Sequence, residues 1–163
     1  MEALTSADVQ NALDKFGFGI ETITYNVSTA TSELAAAAIG CEVAQIAKSI
    51  CLIVDKDQPV LVVASGTQTV DDRKIAALFS VGRKKVRLAK PEECIAIFGY
   101  PPGGVPPVGH RTEGIRIYLD NNLKQFERIY AAAGTANINF GITPQQLETV
   151  TQGTWADVVK DLG

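Results

Sequence analysis

The sequence is short of the groups that enzymes most often use for covalent chemistry. It has one histidine, His110, and three cysteines, Cys41, Cys51 and Cys94. No two cysteines stand in C-x-x-C spacing and their number is odd, so neither a disulfide framework nor a locally paired zinc site is indicated. A G-x-S-x-G elbow is missing, and neither Ser49 nor Ser65 has the setting of a triad serine. The phosphate-binding pattern G-x-x-x-x-G-K-[ST] is missing too. No apolar run approaches the ~20 residues that span a bilayer, and the opening "MEALTSADVQNALDKFGFG" has no signal core. Basic charge is not in excess: 15 Lys and Arg against 18 Asp and Glu leave a net −3, which argues against a protein that coats nucleic acid. The expectation is a cytoplasmic chain that needs no membrane.

What is present reads as globular, with 46% hydrophobic and 20% charged residues. A single domain over residues 1–163 accounts for the length, and a chain of this size buries roughly 70% of its unfolded surface. Val9, Leu13 and Phe16 repeat at helical spacing between Ser6 and Gly17, predicting a helix over 6–16. "IETITY" alternates as a strand. "TSELAAAAIG" is a helix with Thr31 or Ser32 as cap and Gly40 past its end. "EVAQIA" adds a helical turn that delivers Lys48. In "KSICLIVDKDQPVLVVAS" two β-branched runs flank "DKDQP", a hairpin. A helix over 71–80, a strand at "KKVRLA" and a helix at "PEECIAIF" follow. "GIRIYLD", "RIYAAAG" and "NINFGI" read as strands, and "TPQQLETV" as a late helix. Alternating strands and helices with one hairpin predict an α/β domain with a mixed parallel and antiparallel sheet. The closing "WADVVKDL" either completes the core or meets a partner.

Three local features stand out. "GYPPGGVPPVGH", Gly99 to His110, holds four glycines and four of the seven prolines, and ends on the only histidine. Proline stiffens such a loop, and glycine lets a ligand approach main-chain N–H groups. The pairing suits a rigid wall that offers donors to an anion or a developing oxyanion. Those donors would come from Gly103, Gly104, Val105, Val108 or Gly109. Lys48 heads an apolar strand, where it either snorkels to the surface or puts a charge into a cleft. Arg73, Lys74, Arg83, Lys84, Lys85, Arg87 and Lys90 place seven of 15 basic residues in eighteen positions. That cluster is either a solvated face or a phosphate-binding patch.

Taken in order, "VAQIAKSICLIVD", "KIAALFSVGRKKVRLAKPEE" and "FGYPPGGVPPVGHR" resemble the YbaK/prolyl-tRNA-synthetase-associated domain family from about Tyr25 onward. The pattern is a lysine heading an apolar strand plus a Gly-x-x-x-Pro loop, here Lys48 and Gly103 to Pro107. The resemblance implies a barrel-like mixed α/β fold with surrounding helices. It also implies a free-standing deacylase that removes a small, wrong amino acid from aminoacyl-tRNA, tRNA(Pro) among the candidates, with a tRNA synthetase as a further partner. No metal, organic cofactor or DNA is implied. Lys48, Gly103, Gly104 and Pro107 would form the catalytic set, with Lys48 acting electrostatically rather than as a base. Tyr25, Ser49, His110 and Asn139 would line the substrate, and Arg83, Lys84 and Lys85 would meet tRNA phosphates. Asn139 stands near a position often acidic in the cysteine-specific group, and Ala132 near one where that group has serine. Pro106 replaces a serine common before the motif's proline. The substrate amino acid stays open among alanine, serine, threonine and cysteine. A non-catalytic module that grips a tRNA end or a protein is the alternative, and a hydrolase of other small esters a third reading.

Overall fold

The fold is built on the predicted hairpin. A computed structural model of the chain describes residues 1–161. Strands β2 (Ala47–Val54) and β3 (Gln58–Ser65) pair antiparallel along all eight residues, Ala47 opposite Ser65 and Val54 opposite Gln58. Beside β2 runs β4 (Val86–Leu88), antiparallel, and only against Leu52–Val54. Beside β3 lie β5 (Arg116–Asp120) and then β8 (Thr154–Ala156), both parallel. The sheet is therefore mixed, in the order β4-β2-β3-β5-β8. Both faces of its centre are covered, which is why β2 and β3 read as unbroken apolar runs rather than alternating ones. Cys51, Leu61, Val63 and Leu119 pack into one cluster, and Leu52, Val60, Val62 and Tyr118 into another.

A second sheet holds β1 (Ile23–Thr24), β7 (Ile138–Ile142) and β6 (Ile129–Ala132) in the order β1-β7-β6, all antiparallel. A single parallel bridge, Ile46 to Tyr130, links it to the larger sheet. The ladders among the described residues thus form two sheets joined at this bridge, and they do not by themselves show the expected barrel. The strand expected over "IETITY" shrinks to two residues, because only Ile23 and Thr24 find partners on β7.

Helices surround the sheets largely where the periodicity put them. Helix α1 is Ser6–Asp14 and its cap is Thr5, whose N–H is accepted by the Asp8 carboxylate. Helix α2 (Ser32–Ile39) is capped by Thr31 and ends on Gly40 at φ +85°. Helix α3 spans Asp72–Leu78 and α5 spans Pro144–Thr151. The helix expected at "PEECIAIF" is one turn, α4 (Pro91–Glu93), that widens into a π-helical turn over Cys94–Phe98 before the Gly/Pro loop. The closing stretch belongs to the core: Trp155 sits in β8, and Val159 bridges Val70. Its last residue, Leu162, lies outside the described residues. No described helix is long and apolar enough to cross a membrane.

Candidate functional site

Because β4 reaches only Leu52, the first half of β2 has one unpaired edge. A cavity of about 220 Å3 lies there, lined by the consecutive residues Ile46 to Ile50. Neighbours on a strand face opposite sides, so a cavity touching all five wraps round the strand's edge rather than sitting on one face. Ala132 of β6 and Asn139 of β7 supply the opposite wall. The segment from Thr29 into the start of α2, including Ala35, supplies a third, and Gly103 with Val105 of the Gly/Pro loop a fourth. At this volume it lies below the ~300–1,000 Å3 usual for sites that engulf drug-sized ligands. It suits a small acyl group rather than a whole nucleotide.

Lys48 is partly buried, and its ammonium donates to the main-chain carbonyls of Gly66 and Gln68 just past β3. Burial pushes its pKa below the ordinary lysine value, opposed by the carboxylates of Glu33 and Asp120. Asp120 is itself buried and accepts from the Ser65 N–H at 2.9 Å and from the N–H and side-chain amide of Asn122 at 2.9 and 2.8 Å. The turn that seats Lys48 requires glycine at 66. A Cβ there would come within 2.3 Å of the Val43 carbonyl oxygen and 2.9 Å of Ser32 Cβ.

The Gly/Pro loop is a packed wall, with residues 104–108 buried. Gly103 takes φ +87°. Gly104 gives its N–H to the Pro101 carbonyl at 3.1 Å and accepts the Gly134 N–H at 2.8 Å. It is therefore committed to holding the loop and is not an open donor. Of the loop residues that line the cavity, Gly103 and Val105, neither main-chain N–H has a protein acceptor among the described residues.

The other sequence-selected residues divide. Ser49 and Asn139 line the cavity with Lys48 and Gly103; Pro107, His110 and Tyr25 do not. Pro107 and His110 border a separate open groove of about 820 Å3. His110 Nε2 donates to the Pro106 carbonyl at 2.7 Å and its ring packs edge-on against Phe98, so it ties the loop to the core. Tyr25 exchanges main-chain and amide bonds with Asn137. Of the basic cluster, Lys74 binds Asp157 and Asp161, and Arg87 binds Glu93. Arg83, Lys84 and Lys85 form an exposed turn next to Asp55, seven residues along β2 from Lys48, or about 23 Å away at ~3.3 Å per residue. Thr29 was not legible as a site residue, yet its hydroxyl donates to Asn139 Oδ1 at 2.6 Å inside the wall.

These features coincide with a family match. The profile of the aminoacyl-tRNA editing domain covers residues 26–150. The chain belongs to the aminoacyl-tRNA editing domain family. It is 36% identical over 140 residues to "Uncharacterized protein YwhH" of Bacillus subtilis, spanning 84% of this chain and 85% of that one. It is 28% identical over 128 residues to "Putative Cys-tRNA(Pro)/Cys-tRNA(Cys) deacylase EbsC" of Enterococcus faecalis, covering 78% and 76% respectively. The solved structure of "a putative trans-editing enzyme for prolyl tRNA synthetase" superposes with a TM-score of 0.87 at 36% identity, covering 96% of this chain and 97% of that one.

Proposed function

We propose that the chain hydrolyses the ester of a mischarged aminoacyl-tRNA that carries a small amino acid, acting in trans in the cytoplasm alongside a tRNA synthetase. One observation carries this reading: Lys48 from the head of β2 meets Gly103 and Val105 of the stiff loop in one small cavity. The similarity to a trans-editing enzyme supports it, and tRNA(Pro) is the first tRNA to test.

An aminoacyl ester is already activated, so no protein nucleophile is required. Water attacks the ester carbonyl carbon, and the oxygen becomes an oxyanion facing the Gly103 and Val105 N–H groups. The bond from that carbon to the terminal ribose oxygen then breaks. The proton lost by the water replaces it on the ribose oxygen, giving free amino acid and uncharged tRNA. Because the loop is packed and braced by Gly104 and His110, its donors need little reorganisation as charge develops. Lys48 donates hydrogen bonds to two carbonyls, and its role in this scheme is that of a charge rather than of a base. Its charge would attract the ester oxygens and the terminal phosphate.

The test is deacylation of alanyl-, seryl-, threonyl- and cysteinyl-tRNA, on tRNA(Pro) and on their cognate tRNAs, by wild type and Lys48→Ala side by side. Lysine-dependent hydrolysis, reduced about a hundredfold or more by the substitution, is the expected result. Circular dichroism checks that both proteins fold. Salt-sensitive tRNA binding with no hydrolysis of any ester would instead make the chain a non-catalytic binding module.

A further inference from the structure

We propose, resting on the deacylase reading, that the cavity recognises a hydroxyl: the amino acid it accepts is serine or a similarly small β-hydroxy residue, read by Asn139 and Ser49. The cavity wall is mostly small and apolar, with Ala35, Ala47, Val105 and Ala132 contributing to it. Six polar side chains line it as well, those of Thr29, Thr31, Ser32, Lys48, Ser49 and Asn139, and Asn139 and Ser49 are the two with unmet hydrogen-bonding capacity inside the wall. Asn139 is 3% exposed, and its Oδ1 is engaged by the hydroxyl of Thr29, itself 4% exposed. That bond fixes the orientation of the amide and leaves Nδ2 without a protein acceptor among the described residues. Ser49 also lines the cavity, and its Oγ is buried with no partner. Buried polar groups are almost always paired, and a native exception calls for an explanation. A ligand hydroxyl supplies one: it can accept from Asn139 Nδ2 and donate to Ser49 Oγ. An alanine methyl satisfies neither, and a thiol satisfies them weakly. Sites built to hydrogen-bond a substrate hydroxyl discriminate strongly against analogues that lack it, because their own polar groups are then left unpaired. Thr29 is a positioning residue in this scheme.

Serine and 2-aminobutyrate differ by a hydroxyl in place of a methyl at nearly the same size, so their esters on one tRNA isolate the hydroxyl. The expected result is a kcat/KM for the seryl ester at least about tenfold above that for the 2-aminobutyryl ester. Ser49→Ala and Asn139→Ala should each move that ratio toward one. Thr29→Val, which frees the amide to turn, should do the same, and Thr29→Ser should restore it. A wild-type ratio of one or below overturns the proposal, as does a ratio unchanged in both Ser49→Ala and Asn139→Ala. Binding of the corresponding non-hydrolysable 3′-aminoacylamide tRNAs is measured in parallel. If no ester is cleaved, the deacylase reading fails by itself, while tighter binding of the serylamide still supports the pocket assignment and equal binding overturns it.

Discussion

Lys48 and His110 carry the two informative titrations of the site and its wall, and they have opposite consequences. Burial lowers the pKa of Lys48, partly offset by Glu33 and Asp120, so its charge is lost at a pH below the ordinary 10.5. A reaction that needs this charge therefore declines on an alkaline limb that begins below that value. The measurement is kcat/KM against pH after subtraction of spontaneous ester hydrolysis. Lys48→Arg, which stays charged throughout the range, should lack the limb, and a flat wild-type profile would remove Lys48 from an electrostatic role. Burial lowers the pKa of His110 below its ordinary 6.5, opposed by its bond to Pro106. Between 6.5 and the lower folded value the unfolded chain holds the proton and the folded chain does not. Stability is therefore lost as pH falls through 6.5. Melting temperatures from about pH 7.5 down to 5.5 should fall more steeply for wild type than for His110→Gln, which can still donate an N–H without titrating. Deacylation by His110→Gln at pH 7.5 should survive, since the ring faces Phe98 and not the cavity.

The Gly/Pro loop works as an element through its contact with the β6–β7 turn. A Cβ on Gly104 would stand 2.9 Å from both the carbonyl carbon and oxygen of Gly134. Overpacking of this kind typically costs ~1–3 kcal/mol. Gly104→Ala should therefore lower the melting temperature and, by shifting the Gly103 and Val105 donors, reduce kcat more than it raises KM. A loss of stability with kcat intact would separate the loop's packing from the chemistry. The loop, the β2–β3 hairpin and Lys48 were legible because their signals are local: prolines and glycines in one run, β-branched residues around a turn, a lysine at a strand's head. The capping of α2 by Thr31 and its stop at Gly40 were legible for the same reason. Contacts between distant segments were not. Thr29 and Asn139 meet across 110 positions, and each alone is an ordinary polar residue. The close approach of Gly66 to Val43 and Ser32 emerges only when the elements pack. A lone histidine closing a Gly/Pro run is suited to hydrogen-bond its own loop in place, as His110 does through Pro106, whereas its packing on Phe98 depends on a core that no local pattern reveals. The barrel expectation came from family resemblance, and no local pattern in the sequence shows whether the two sheets join.

At the scale of the whole molecule, charge is separated from chemistry. The chain is net negative, −3, yet Arg83, Lys84 and Lys85 form an exposed basic turn at the far end of β2 from Lys48. The other members of the local cluster do not all add to it, since Lys74 and Arg87 hold internal carboxylates. A span of about 23 Å is roughly seven nucleotide steps at ~3.4 Å per step along a strand. A tRNA whose 3′ end enters the cavity would thus present acceptor-stem phosphates, not its terminal nucleotides, at that distance. Replacing all three residues with serine should lower kcat/KM for full-length aminoacyl-tRNA, on the order of tenfold at low salt, and flatten its salt dependence by up to about three phosphate contacts. The same variant should cleave a short aminoacylated 3′ fragment, too short to reach the turn, as fast as wild type does. Equal losses on both substrates would mean that the substitution disturbs the cavity through β2. No loss on either would make the turn a solvated face, and the search for the tRNA-binding surface would move to the 820 Å3 groove bordered by Lys15, Arg116 and the outer side of the Gly/Pro loop.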